Sequence, residues 1–225
     1  MKAMILAAGR GERMGELTNT IPKPLTRISN STLIEQNIRR IRKSGIKDII
    51  INVSWLGNKI IDHLGDGSKY DVKISFSDEG NNMLGTGGGI LNALNLLDEN
   101  PFWLVNADLY SDYSIDTNMH LANDDLAHLV LVDNPKHHPD GDYFLKKGRI
   151  SVSNTVMPLT FSGISMISPK IFKNIKEKVF PLEPILNRYA SKNKISGEHF
   201  KGTWIDVGTQ KRLKDVIMNY QNSCN

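Results

Sequence analysis

Apolar positions along this chain follow two alternating rhythms, and their pattern changes near residue 126. Lys2 to Leu6 is a short continuous apolar run with the length of a buried strand, broken by Ala7, Ala8 and Gly9. Thr32 and Glu35 have capping-box spacing, and Leu33, Ile34, Ile38 and Ile41 then share one helical face until Gly45. Asp48 to Val53 is β-branched and predicts a strand, followed by a helix over Trp55 to Leu64 with Ile60, Ile61 and Leu64 inward. A strand at Val72 to Phe76 and a polar loop from Asp78 to Gly85 come next. A helix over Gly87 to Leu97, striped by Ile90, Leu91, Leu94 and Leu97, leads into a strand at Phe102 to Val105. Strands alternating with helices predict an α/β fold with a mainly parallel, doubly wound sheet, whose ligands bind beyond the carboxyl ends of the strands.

The second half is richer in β structure and in long loops. Leu126 to Val132 predicts a strand, Asp133 to Asp142 a polar loop, Tyr143 to Val152 a hairpin turning at Gly148, and Leu159 to Ile167 another strand. Ser168 is placed to cap a short helix beginning at Pro169. Two helical stripes close the chain, Leu182, Ile185, Leu186 and Tyr189, then Leu213, Val216, Ile217 and Tyr220. No internal repeat or linker interrupts it, so one domain is expected over 1–225.

Composition narrows the partners. A formal charge of +4 spread over scattered cations favours small anions over nucleic acid. The sole cysteine, Cys224, offers no disulfide within the chain, and no apolar run approaches a membrane span or a signal peptide. The expectation is a cytoplasmic protein with neither membrane nor nucleic acid as partner, a monomer or a homodimer.

The chemistry gathers in residues 3–25, AMILAAGRGERMGELTNTIPKPL. Ala7, Ala8, Gly9 and Gly11 let backbone approach a ligand, turns of this kind expose N–H groups to anions, and Arg10, Arg13 and Lys23 add the charge to hold a triphosphate. A Walker loop is excluded because no Lys-Ser/Thr pair follows at the required spacing, and a dinucleotide fingerprint because Met14 stands where neither a third glycine nor a helix start can be read. Asp108, in LVNAD, lies at the carboxyl end of a strand, and Asp206, in TWIDVG, occupies an equivalent place. Each alone is as readily a turn former, but two carboxylates at one sheet mouth suit the Mg²⁺ that accompanies a triphosphate. His137 and His138 read as a solvated loop, since adjacent residues on extended chain point apart.

The two blocks LAAGRGERM and PKPL resemble the signature of the sugar-phosphate nucleotidyltransferases. INVSWLG, TGGGI, LVNADLYSDY, TFSGISM and ISGEHFKGTWIDVGT extend the resemblance over most of the chain and bring it nearest to the N-acetylmuramate 1-phosphate uridylyltransferases of cell-wall recycling. The resemblance implies a Rossmann-like nucleotidyltransferase fold, with a mainly parallel mixed sheet flanked by helices and a small β-rich acceptor-binding part. It implies a nucleotide-binding part over about 1–125, a sugar-phosphate-binding part over about 126–225, and transfer of UMP from UTP to a muramyl 1-phosphate. Carried over by residue, Arg13 and Lys23 are the catalytic cations, and Asp108 and Asp206 bind Mg²⁺. Ala7, Ala8, Gly9, Gly11, Glu79, Gly80, Gly87 and Asn106 meet the nucleotide, while Trp55, Asn106, Asp142, Glu198 and His199 line the sugar side. Trp55 is equally an interior aromatic, and His199 equally a surface residue of a short strand. Other phosphate acceptors, such as glucose 1-phosphate, N-acetylglucosamine 1-phosphate or phosphocholine, and a non-catalytic nucleotide-sugar binder are the alternative readings.

Overall fold

The structure, a computed structural model, describes residues 1–122, 124–153 and 157–223, with side chains up to residue 218; Cys224 and the side chain of Tyr220 therefore lie outside the described residues. The chain opens with β1 (Lys2–Leu6), the short helix α1 (Leu17–Thr20), the two-residue strands β2 (Arg27–Ile28) and β3 (Ser31–Thr32), and helix α2 (Leu33–Lys43). The capping box forms as the spacing predicts: the Glu35 N–H donates to Thr32 Oγ1 at 3.3 Å, and the Thr32 N–H to Glu35 Oε2 at 2.8 Å. Then come β4 (Asp48–Val53), α3 (Gly57–Leu64), β5 (Lys73–Asp78), α4 (Gly85–Leu97), β6 (Phe102–Asn106), β7 (Leu109–Ser111) and β8 (Ala127–Val132). The hairpin β9 (Phe144–Lys146) and β10 (Arg149–Ser151), β11 (Thr160–Ile167), α5 (Glu183–Ala190), β12 (Ile195–His199), β13 (Trp204–Asp206) and α6 (Gln210–Ser223) complete it.

The main sheet has nine strands in the order β5-β4-β1-β6-β11-β8-β12-β10-β9. The first four are parallel, as the alternation of strands and helices requires. Past β6 the sheet becomes mixed, as the resemblance implies: β11 runs antiparallel to both β6 and β8, β12 returns parallel to β8, and the hairpin closes the edge. Antiparallel neighbours need no crossover helix, which is why the second half has longer loops and fewer helices.

Alternate strand residues feed two layers. Ala3, Ile5, Ile49, Ile51 and Val53 face α2 and α3, while Met4, Ile50, Phe102 and Leu104 face α4 and α5. Because both faces are covered, β1 and β4 read as unbroken apolar runs. A third, smaller cluster of Ile28, Leu33, Val207 and Val216 anchors α6 beside the small sheet of β7 and β13. The predicted helix at Pro169 is a single tight turn over Pro169–Phe172, and Ser168 makes no side-chain cap there. Among the described residues, no helix is long and apolar enough to cross a membrane.

Candidate active site

Three parallel strands end together, since Leu6 of β1 is in register with Asn52 of β4 on one side and Asn106 of β6 on the other. Over these ends opens a cavity of about 490 Å³, walled by residues 7–13, Lys23, Glu79, Thr86, Asn106 and Asp108. Its volume is that of a small-ligand site. A hydrogen-bonded relay fixes the floor. The Ala7 N–H donates to Asn52 Oδ1 at 2.8 Å, Asn52 Nδ2 to Glu79 Oε1 at 2.6 Å, and the Leu84 N–H to Glu79 Oε2 at 2.8 Å. The loop after β1 is thus tied to the entrance of α4 through two side chains. The sequence reading passed over Asn52; its signal was a polar residue inside the apolar run DIIINV.

Lys23 reaches the cavity because its backbone is set by prolines and its stem has room. Pro22 caps a one-turn helix over Lys23–Leu25 that contains Pro24, and Gly11 has φ +70°. A β-carbon on Gly11 would come within 3.0 Å of the Lys23 stem, so only glycine lets the two segments cross. The Lys23 ammonium donates to Asp108 Oδ2, with the two side chains 11% and 26% exposed. Arg10 lies over the Trp55 ring, 4.5 Å from its centre, and Trp55 Nε1 donates to the Thr18 carbonyl at 3.0 Å, bracing the loop from outside.

The two aspartates meet through the small sheet. After Asn106 the chain leaves the main sheet and enters β7, where Leu109 pairs with Asp206 of β13 and the Val207 N–H donates to the Asp108 carbonyl at 2.8 Å. Residues far apart in sequence so become backbone neighbours, although Asp108 lines the cavity and Asp206 does not. Asp206 is held by Arg212 Nη1, at 2.7 and 2.6 Å from its two oxygens, and by His137 Nε2 at 3.1 Å. Arg212 was also missed, because nothing local marks a cation at the start of α6 as a partner for a strand-end carboxylate. Among the described residues, no group of three or more His, Cys, Asp or Glu is placed to hold a metal. The hard oxygens of Asp108 and Asp206 fit Mg²⁺, which takes few protein ligands and shares its shell with phosphates and water.

The remaining candidates divide. Ala7, Ala8, Gly9, Gly11, Arg13, Lys23, Glu79, Asn106 and Asp108 all line the cavity. Gly80 and Gly87 do not. The Gly80 carbonyl accepts from Ser54 Oγ at 2.8 Å, and Gly87 is buried, its N–H donating to the Phe180 carbonyl at 3.0 Å while the Phe180 ring occupies the space a β-carbon would need. Gly85, Gly87 and Gly88 thus pack closely against residues 178–181, Gly89 leaves room for Glu79 and Asn52, and of these four glycines Gly85 also lines the cavity. Trp55 follows β4, which lies next to β1 on the side away from β6, so its turn flanks the loop after β1. Glu198 and His199 end β12, three positions beyond β6, about 14 Å at ordinary strand spacing. His199 pairs with Asp133 at 2.9 Å, and Glu198 accepts from the buried Tyr113 hydroxyl at 2.5 Å. The His128 ring beside it, helped by Tyr113, holds the Glu198 carboxyl below its usual range against the effect of burial, and burial with that carboxylate pushes the Tyr113 hydroxyl up. Asp142 accepts from the Phe161 N–H at 2.7 Å and pairs with His138 at 2.9 Å, so the two histidines each hold a different carboxylate and do not form a pair.

Comparison with known proteins agrees with this geometry. Residues 2–144 match the nucleotidyl transferase family. An N-acetylmuramate alpha-1-phosphate uridylyltransferase of Neisseria meningitidis serogroup B is 44% identical over 228 residues, covering 96% of each chain. One of Caulobacter vibrioides is 29% identical, covering 92% of this chain and 91% of its own. Among solved structures, HddC from Yersinia pseudotuberculosis superposes with a TM-score of 0.81 at 23% identity, covering 97% of this chain and 99% of its own, a likeness of fold. With a family match over residues 2–144 and a relative 44% identical along nearly its whole length, this chain belongs to the nucleotidyl transferase family and is a sugar-phosphate nucleotidyltransferase.

Proposed function

We propose that this enzyme transfers UMP from UTP to N-acetylmuramate 1-phosphate, giving UDP-N-acetylmuramate and pyrophosphate, as a cytoplasmic step in the recycling of cell-wall sugar. The observation that carries the reading is the cavity at the ends of β1, β4 and β6, where a small-residue loop faces Arg13, Lys23 and Asp108, in a chain 44% identical to an enzyme of that name. The same nine-stranded sheet runs through the nucleotide half and the acceptor half, which supports treating them as one domain.

Asp108 and Asp206 would hold Mg²⁺, which when bound draws charge from the phosphates. The acceptor phosphate is already an anion at neutral pH, so no side chain is needed as general base. One of its oxygens attacks the α-phosphorus of UTP, the bond to the bridging oxygen breaks, and pyrophosphate leaves opposite. Arg13 and Lys23 relieve the repulsion between two polyanions and stabilise the charge that moves onto pyrophosphate. The backbone of Ala7, Ala8 and Gly9 approaches the nucleotide closely, and the relay from Ala7 through Asn52 to Glu79 keeps that approach rigid.

Pyrophosphate release from UTP and Mg²⁺, measured with N-acetylmuramate 1-phosphate or N-acetylglucosamine 1-phosphate and with or without EDTA, tests the proposal. Fast, EDTA-sensitive release with the muramyl acceptor alone is the expected result. Release with the other sugar instead overturns the acceptor, and silence with both overturns the transfer.

A further inference from the structure

Asn37 sits in the middle of α2 on its buried face, 2% exposed, among Leu33, Ile34, Ile38 and Ile41. An apolar residue would serve the core there, and a buried amide is tolerated only when its bonds are made. They are made away from the helix. Asn37 Nδ2 donates to the Leu109 carbonyl at 3.0 Å and the Ala107 carbonyl at 3.3 Å, as well as to Leu33 one turn back at 3.0 Å. Asn37 Oδ1 accepts from Arg40 Nη2 at 2.7 Å. Only this orientation of the amide works, because the reverse would set Oδ1 against three carbonyl oxygens and Nδ2 against a guanidinium.

The two long-range carbonyls are those on either side of Asp108. Between them the Asp108 carbonyl points the other way, to the Val207 N–H at 2.8 Å. Asp108 lies between the end of β6 at Asn106 and the start of β7 at Leu109, with the Val207 N–H as its backbone tie to the small sheet. Arg40 adds a second sign that this arrangement is not mere packing. Its Nη1 is buried with no partner among the described residues, and burial lowers its guanidinium to about 10. That unfavourable burial is kept in a residue whose other nitrogen orients Asn37.

We propose that Asn37, steadied by Arg40, is a positioning residue that fixes the peptide before Asp108 and the peptide after Leu109, and so aims the Asp108 carboxylate. The inference rests on the reading of Asp108 as a metal ligand given above. Groups that orient a metal ligand are worth about 10- to 100-fold in affinity or activity when removed.

Asn37→Ala, Arg40→Ala and Asp108→Asn are compared with the wild-type enzyme. The measurements are kcat, KM for UTP, the half-saturating Mg²⁺, and Mn²⁺ bound in the presence of UTP, read from the electron paramagnetic resonance of free Mn²⁺. Folded Asn37→Ala is expected to lose about 10-fold or more in kcat and to need more metal, with KM for UTP within about threefold at saturating Mg²⁺. Arg40→Ala should move the same quantities in the same direction by about two- to fivefold, since the amide remains but loses its orienting partner. Wild-type kcat and metal dependence in folded Asn37→Ala overturns the inference, as does a loss that only follows the unfolded fraction in circular dichroism. Should Asn37→Ala fail to fold, Arg40→Ala decides: a raised metal requirement supports the inference and an unchanged one overturns it. Asp108→Asn distinguishes the two claims, because wild-type metal dependence in that variant overturns the reading of Asp108 itself, and the inference with it.

Discussion

Lys23 gives the sharpest test of how the cavity works, because its ammonium pairs with Asp108 and, in the proposed mechanism, meets a phosphate. Replacing it by methionine keeps the stem that crosses Gly11 and removes only the charge. At about 3 Å and an effective dielectric of about 20, two unit charges attract by roughly 5 kcal/mol, but withdrawing each ion from water costs several kcal/mol in return. Asp108 is 26% exposed, so solvent screens the pair further, and the net loss of stability should be about 1 kcal/mol, or about 2–4 °C in Tm. The catalytic loss is much larger. Removing one preorganised partner of a developing charge costs about 100- to 1,000-fold in kcat. The metal term has the opposite sign, because the Lys23 ammonium occupies the Asp108 oxygen that a divalent cation would take. Relieving a competitor worth about 1 kcal/mol should tighten Mn²⁺ binding to the nucleotide-free enzyme about fivefold. Calorimetric titration with Mn²⁺, steady-state pyrophosphate release and a thermal melt on Lys23→Met report the three quantities. A kcat within threefold of wild type, or Mn²⁺ binding that weakens together with kcat, would refute the reasoning.

Two further predictions concern the supports of the site. Trp55→Ala removes the bond to the Thr18 carbonyl and the face on which Arg10 rests, so it should raise KM for UTP about five- to tenfold and leave KM for the acceptor unchanged. The reverse pattern would place Trp55 on the sugar side. Glu35 is held at about 2 against an ordinary 4.5: burial pushes it up, but the Thr32 N–H, the Tyr70 hydroxyl and the His63 ring together pull it down further. A carboxyl depressed in the folded state contributes stability that is fully present above about pH 4.5 and is lost as the pH falls toward 2. Glu35→Gln should therefore melt well below wild type at neutral pH, and the gap should narrow on acidification below pH 4.5. A gap independent of pH would show that the carboxylate charge contributes nothing.

Several elements could be read from the chain because the forces that make them are local. The β-branched run of β4, the Thr32–Glu35 capping box and the stripe of α2 each declare themselves within a dozen residues, and β4 has the expected bounds, Asp48–Val53. That the loop after β1 lines a cavity was equally legible, since small residues followed by isolated cations have few structural reasons to occur together. Gly87 shows where such reading goes astray: a glycine looks the same in sequence whether it makes room for a ligand or, as here, for the ring of Phe180. For Trp55 the placement itself is illegible, because the side of β1 on which β4 lies is a matter of strand order. By itself the sequence determined the parallel half of the sheet, the loop that follows β1 and the family to which the chain belongs. Only the tertiary structure decided that β11 turns antiparallel, that the pairing of the three-residue strands β7 and β13 sets the backbone of Asp108 beside Val207, next to Asp206, and that Arg212 holds Asp206 while Asn37 holds the carbonyls of Ala107 and Leu109. The physical reason is one of range: periodicity and propensity act between near neighbours along the chain, whereas a three-residue strand has no period to show and acquires its conformation from the partner that completes its hydrogen bonds.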